Sequence, residues 1–104
     1  KILELKRAEN LKNIYLYGLF NYLNENLAGG TIILFGSYSK GEDIKGSDID
    51  IAVIERKEKS LDIQKFEESL NRKINIQFYD SWEIHKNLRN NILNGIILTG
   101  SIDI

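Results

Sequence analysis

Residues 32–54 constrain the fold more than any other stretch, because two apolar, β-branched runs enclose a polar loop that contains three glycines. The loop begins with Gly36-Ser37, and the second run opens with aspartates at positions 48 and 50. Side chains in a strand repeat every two residues, so Asp48 and Asp50 project from the same face. Two neighbouring carboxylates repel each other unless a cation neutralises them, and hard oxygen ligands suit Mg²⁺. The stretch therefore predicts two strands with a divalent-metal site.

The loop before the aspartates predicts a binding site for an anion. Glycine lets the backbone turn tightly after a strand, so that the N–H groups and the Ser37 hydroxyl can approach an anion closely. A helical turn over residues 38–41 would direct its N-terminus to the same place. Lys40 and, less favourably, Lys45 supply cations for phosphate oxygens, with solvated loop lysines as the alternative interpretation. A phosphate beside a metal ion is the expected occupant.

The order of strand, Gly36-Ser37, ten residues and Asp48-x-Asp50 resembles the signature of the DNA polymerase β-type nucleotidyltransferase superfamily. The short chain and its Gly-Ser-Tyr-Ser-Lys-Gly segment are most similar to the minimal nucleotidyltransferase branch. The resemblance implies an α/β (α+β) fold, in which a small mixed sheet of three to four strands has helices packed on one side. It also implies one nucleotidyltransferase domain, residues 1–104.

The same resemblance implies an activity and a role for each motif residue. The chain would bind a nucleoside triphosphate, with ATP favoured, and one or two Mg²⁺ ions. It would transfer a nucleoside monophosphate to an acceptor and release pyrophosphate. Asp48 and Asp50 would hold the metal and serve catalysis. The residues implied to bind the nucleotide and its phosphates are Gly36, Ser37, Lys40 and Ser47.

The chain departs from the superfamily pattern at Asn75. Relatives place a third carboxylate on this strand, where it holds the metal and accepts the proton of the attacking hydroxyl. An amide can offer a neutral oxygen to a metal but cannot act as that base, so metal affinity and rate should both fall. Asp80 is a less favoured substitute, because it lies five residues further on with the opposite strand parity.

The rest of the sequence predicts the elements that would surround this motif. Apolar residues at the helical period predict one helix from residue 2 to about residue 28, with Gly18 as a weak point in it. The other predicted elements are strands over 31–35, 48–54 and 73–79, a helix from an N-cap at Ser60 to about Asn71, a helix over 81–94 capped by Ser81, and a strand or helical turn over 96–99.

Composition excludes several classes of protein. A length of 104 residues, 42% of them hydrophobic, allows one small core, and a net charge of −1 provides no basic field for nucleic acid. Zinc and disulfide sites are excluded because the chain has no cysteine and a single histidine, His85, which we interpret as an ordinary helical residue. No apolar run approaches the ~20 residues of a membrane span, so we expect a cytoplasmic protein with no membrane partner.

Three functions are consistent with these observations. The first is a working minimal nucleotidyltransferase, whose acceptor we expect to come with a partner because the chain is short. The second is an antitoxin that, like some relatives, binds a helical HEPN-type protein. The third is a nucleotide-sensing module fused to an upstream DNA-binding domain, which Asn75 and a chain that begins at Lys1 without methionine would both suit.

Overall fold

The computed structural model describes residues 2–41, 47–81, 83 and 86–99, and it has the predicted α/β architecture. In chain order the elements are α1 (Ile2–Leu16), α2 (Leu19–Asn26), β1 (Thr31–Phe35), α3 (Gly36–Lys40), β2 (Ile49–Ile54), α4 (Gln64–Leu70), β3 (Ile74–Tyr79), α5 (Lys86–Leu93) and β4 (Ile96–Thr99). Each of the three predicted strands is confirmed to within one residue, and the apolar segment near the C-terminus is a fourth strand. None of the described helices has the length and apolar character needed to cross a bilayer.

The four strands form one mixed sheet in the order β3-β2-β1-β4. Strand β1 is antiparallel to both β2 and β4, whereas β2 and β3 are parallel and connected through α4. The C-terminal end of β1 and the N-terminal ends of β2 and β3 therefore meet at one end of the sheet. There Phe35 lies opposite Asp50, and Asp50 lies opposite Asn75. We call this end of the sheet, defined by Phe35, Asp50 and Asn75, the site edge.

Helices cover both faces of the sheet. The larger core packs the sheet against α1 to α4 and includes Ile14, Leu23, Ile51 and Phe66. On the opposite face, Ile92 of α5 is fully buried in a second cluster that comprises Ile33, Phe35, Ala52, Ile54 and Ile92. The prediction that the helices pack on one side of the sheet is correct for α1 to α4. It is wrong for α5, which packs on the opposite side. The nearly continuous apolar runs of β1 and β2 indicate that both faces of these strands are buried, but not which helix covers each face.

The prediction of one helix over residues 2–28 is wrong, because the chain forms α1 and α2 with a break at Tyr17 and Gly18. Gly18 has φ = 84°, a left-handed conformation that glycine adopts readily and that cannot continue a helix. The Tyr17 N–H still bonds the carbonyl of Asn13, whereas the Gly18 carbonyl accepts from Tyr22, within the next helix. Gly18, which was expected to weaken a single long helix, instead lies in the break between α1 and α2.

The two later helices begin after the predicted N-caps. Helix α4 starts at Gln64 rather than after Ser60, and the N–H of Asp62 donates instead to the Tyr22 hydroxyl at 2.7 Å. It ends as predicted, with Asn71 in the left-handed conformation. The described part of α5 begins at Lys86, and the Ser81 hydroxyl accepts the N–H of Glu83. The predictions for Trp82, Ile84 and His85 lie outside the described residues.

Candidate metal and nucleotide site

The site edge brings two carboxylates and one amide together. The Nδ2 atom of Asn75 donates to Oδ2 of Asp48 at 2.8 Å and to Oδ1 of Asp50 at 3.2 Å. Pairing of β2 with β3 in parallel register produces this cluster, since it sets Asp50 directly beside Asn75. All three side chains are half-buried, so they remain reachable from solvent. The structure therefore places the Asn75 amide beside both aspartates.

Gly36 lies against Asp50 at the start of α3. Its φ is +80°, and a Cβ atom at this position would lie 2.6 Å from Oδ2 of Asp50. Both the left-handed backbone and this close approach require glycine. The turn after β1 is consequently in direct contact with the Asp50 carboxylate, so that a ligand held by the turn would lie close to the aspartates.

Two of the other predicted phosphate contacts, Ser37 and Lys40, lie on helix α3, and the third, Ser47, lies just before β2. Ser37 is exposed in its first turn, where backbone N–H groups have no acceptor within the helix. Ser47 is half-buried and precedes Asp48 directly. Lys40 is the last residue of α3 and lies in a cavity of about 200 Å³, which it shares with Arg7 and Asn94 among others. Because it is three residues further along α3, Lys40 lies about one helical turn away from Ser37.

A buried pair of residues between α1 and α3, which was not among the predicted site residues, holds the turn in place. Asn10 Nδ2 donates to the Tyr38 carbonyl at 2.9 Å, while the Tyr38 hydroxyl donates to the Asn10 carbonyl at 3.2 Å. The guanidinium of Arg72 lies 5.7 Å from the centre of the Tyr38 ring. The burial of Asn10 could have been predicted from the sequence, because Asn10 lies four residues before Ile14 and so shares the buried face of the helix.

The residues at the site edge fit a small divalent cation in part. Two carboxylate oxygens converge on the Asn75 nitrogen, so a cation in that position would meet two hard, anionic ligands. Within the described residues, no group of three or more His, Cys, Asp or Glu side chains could hold a metal. The donor set suits Mg²⁺ in chemical type but lacks a third negative charge.

Two other side chains of this region do not supply the missing base. Asp80 is exposed beyond the far end of β3, five residues or about 16 Å along the strand from Asn75. Tyr79 packs against the cluster around Ile92, and burial raises the pKa of its phenol. Its hydroxyl therefore stays protonated at neutral pH and brings no charge to this face.

A comparison with protein families gives one finding. The family model described as a nucleotidyltransferase domain matches residues 16–98. The match begins at the end of α1 and includes all four strands almost completely, together with Gly36, Asp48, Asp50 and Asn75. No curated protein matches the chain.

Proposed function

Because this chain belongs to the nucleotidyltransferase domain family, we propose that the site edge binds a nucleoside triphosphate with Mg²⁺ and transfers its nucleoside monophosphate to an acceptor. The observation that carries the proposal is the contact between Gly36 and Asp50, which joins an anion-binding turn to a pair of carboxylates. Phosphates held by the turn would lie beside the aspartates without further movement of the backbone.

Each residue has a defined task in this proposal. Backbone N–H groups of Gly36 and Ser37, with the Ser37 hydroxyl, bind the β- and γ-phosphates, and Ser47 contributes a further hydroxyl. Asp48 and Asp50 would hold Mg²⁺, which when bound neutralises charge on the phosphate oxygens. The acceptor oxygen forms a bond to the α-phosphorus and its hydroxyl proton passes to solvent, while the bond from that phosphorus to the bridging oxygen breaks and pyrophosphate leaves.

A second candidate function is nucleotide binding without transfer. It is favoured by Asn75, since the amide that bonds both aspartates cannot take the proton of an attacking hydroxyl. On either proposal the nucleotide binds in the same place, and the two differ in the release of pyrophosphate.

Calorimetric titration with each of the four nucleoside triphosphates, with and without Mg²⁺, tests the proposal, with ATP first. Pyrophosphate release is then measured on the same samples. Metal-dependent binding with release supports the transferase, and binding without release supports the nucleotide-binding module. If none of the four nucleotides binds, both proposals are wrong.

The variant Asp48→Asn is expected to lose Mg²⁺-dependent nucleotide binding by at least about tenfold, because it removes one of the two charged ligands. The fold should be retained, since the change relieves repulsion between neighbouring carboxylates. Asp80→Asn is the matched control, because Asp80 is exposed beyond the far end of β3. Unchanged affinity in Asp48→Asn, or an equal loss in Asp80→Asn, would contradict the site assignment.

A further inference from the structure

The orientation of the Asn75 amide indicates how metal and nucleotide enter the site. We propose that Asn75 is a clamp that holds Asp48 and Asp50 together in the metal-free protein, so that the divalent cation binds productively only with the nucleotide. The inference rests on the proposed function and specifies its order of binding. The nitrogen of this amide donates a hydrogen bond to one oxygen of each aspartate.

The clamp compensates for repulsion between two like charges. Asp50 lies in β2 and Asp48 just before it, and both carboxylates are within reach of a single nitrogen atom. An amide nitrogen carries two hydrogens, so it can donate one to each carboxylate. Such bonds to ionised acceptors are stronger than those between neutral groups. The two carboxylates are therefore held in place before any cation arrives.

The same arrangement makes a free cation compete with Asn75. A cation held between Asp48 and Asp50 in the place of the amide nitrogen would have to displace that nitrogen, which bonds one oxygen of each carboxylate. The cation would then have two negatively charged ligands, whereas a site with a third carboxylate on β3 would offer three. Affinity of oxygen-ligand sites for hard divalent cations depends on the number of charged ligands. We expect the binding of free metal to be weak.

A bound triphosphate supplies what the protein lacks. Its oxygens are hard, anionic ligands. The turn at Gly36, which touches Asp50, would hold these oxygens beside the aspartates. Metal and nucleotide then increase each other's affinity, and by linkage the two increases are equal. Asn75 thus makes metal binding depend on nucleotide, which a site with three carboxylates would not require.

Binding of Mn²⁺ alone, followed by electron paramagnetic resonance of the free ion, tests the clamp in the wild type, Asn75→Asp and Asn75→Ala. Asn75→Asp is expected to bind Mn²⁺ at least about tenfold more tightly than wild type, because a negative ligand replaces a competing donor. Asn75→Ala should bind Mn²⁺ as tightly as wild type or more tightly. Without metal, its melting temperature should fall by about 4–8 °C, as expected for loss of a net stabilising bond.

Gln77 provides matched controls, because it is an exposed amide two residues further along the same face of β3. Gln77→Asp and Gln77→Ala should leave Mn²⁺ binding unchanged. The clamp is wrong if wild type binds Mn²⁺ as tightly as Asn75→Asp, or if Asn75→Ala binds it more weakly than wild type. The latter result would make the amide oxygen a ligand.

Nucleotide affinity, measured in Mn²⁺ and in EDTA, separates this inference from the proposed function. The expected result is that Mn²⁺ raises nucleotide affinity in wild type by a larger factor than in Asn75→Asp, which already holds the metal. Equal factors in the two proteins would overturn the clamp while leaving nucleotide binding established. Absence of nucleotide binding in both proteins would overturn the proposed function, and with it the inferred order of binding.

Discussion

Among the individual residues, Gly36 is subject to two constraints, one on its backbone conformation and one on the space beside it, and the two can be tested separately. Its left-handed backbone disfavours any other residue, and the space that a Cβ would need is occupied by Oδ2 of Asp50. Gly29 has a similar φ of +94°, but a Cβ there would meet nothing within 4 Å. The two glycines thus share the backbone constraint, and Gly36 alone of the pair touches a carboxylate of the site edge.

Gly36→Ala and Gly29→Ala should each destabilise the protein by about 1–2 kcal/mol, the usual cost of a left-handed alanine. In Gly36→Ala the added methyl must also displace the Asp50 carboxylate, so we expect Mg²⁺-dependent nucleotide binding to be lost. Urea denaturation and calorimetry measure the two effects. Retention of nucleotide affinity in Gly36→Ala, or an equal loss in Gly29→Ala, would show that the contact with Asp50 is unimportant.

Among the secondary-structure elements, helix α3 is too short to be stable by itself, and its orientation depends on contacts with α1. A helix of five residues has little stability by itself, so its orientation must come from packing. The reciprocal hydrogen bonds between Asn10 and Tyr38 supply it, because each residue uses its side chain to bond the other's backbone. Asn10 is 2% exposed, so both bonds are shielded from water.

Asn10→Ala is expected to destabilise the fold by about 1–3 kcal/mol, because the carbonyl of Tyr38 loses a buried donor. Tyr38→Phe should cost about 0.5–1.5 kcal/mol, and the double variant should reveal coupling between the two bonds, since they share one geometry. We also expect nucleotide affinity to fall in Asn10→Ala, because α3 carries the phosphate-binding turn. Asn24→Ala, on the exposed face of α2, is the control. Additive losses would contradict the coupling.

The whole molecule is a sheet between two layers of helices, and α5 alone among the described helices contributes a buried residue to the second layer. Ile92 is fully buried there, whereas Ile97 in the neighbouring edge strand β4 is 40% exposed. The face that carries Asp50 and Asn75 at its end is thus the face that α5 covers.

Ile92→Ala should reduce the free energy of unfolding by about 2–5 kcal/mol, the usual cost of a cavity at a fully buried isoleucine. Ile97→Ala should cost much less, because that side chain is already partly in water. Urea denaturation of both variants measures the difference. Equal and small losses would mean that α5 does not close the second core, and that one-sided helix packing describes the protein better.

Features that depend on local periodicity follow from the amino-acid sequence alone. Alternation every two residues defines the strands and sets Asp48 and Asp50 on one face, while glycine and asparagine mark the ends of helices. Strand order and register gave Asn75 its place beside both aspartates, and packing between distant segments set the Asn10–Tyr38 pair and the position of α5. These features depended on the tertiary structure, because each one is a contact between residues far apart in the chain, whose energy no local pattern encodes.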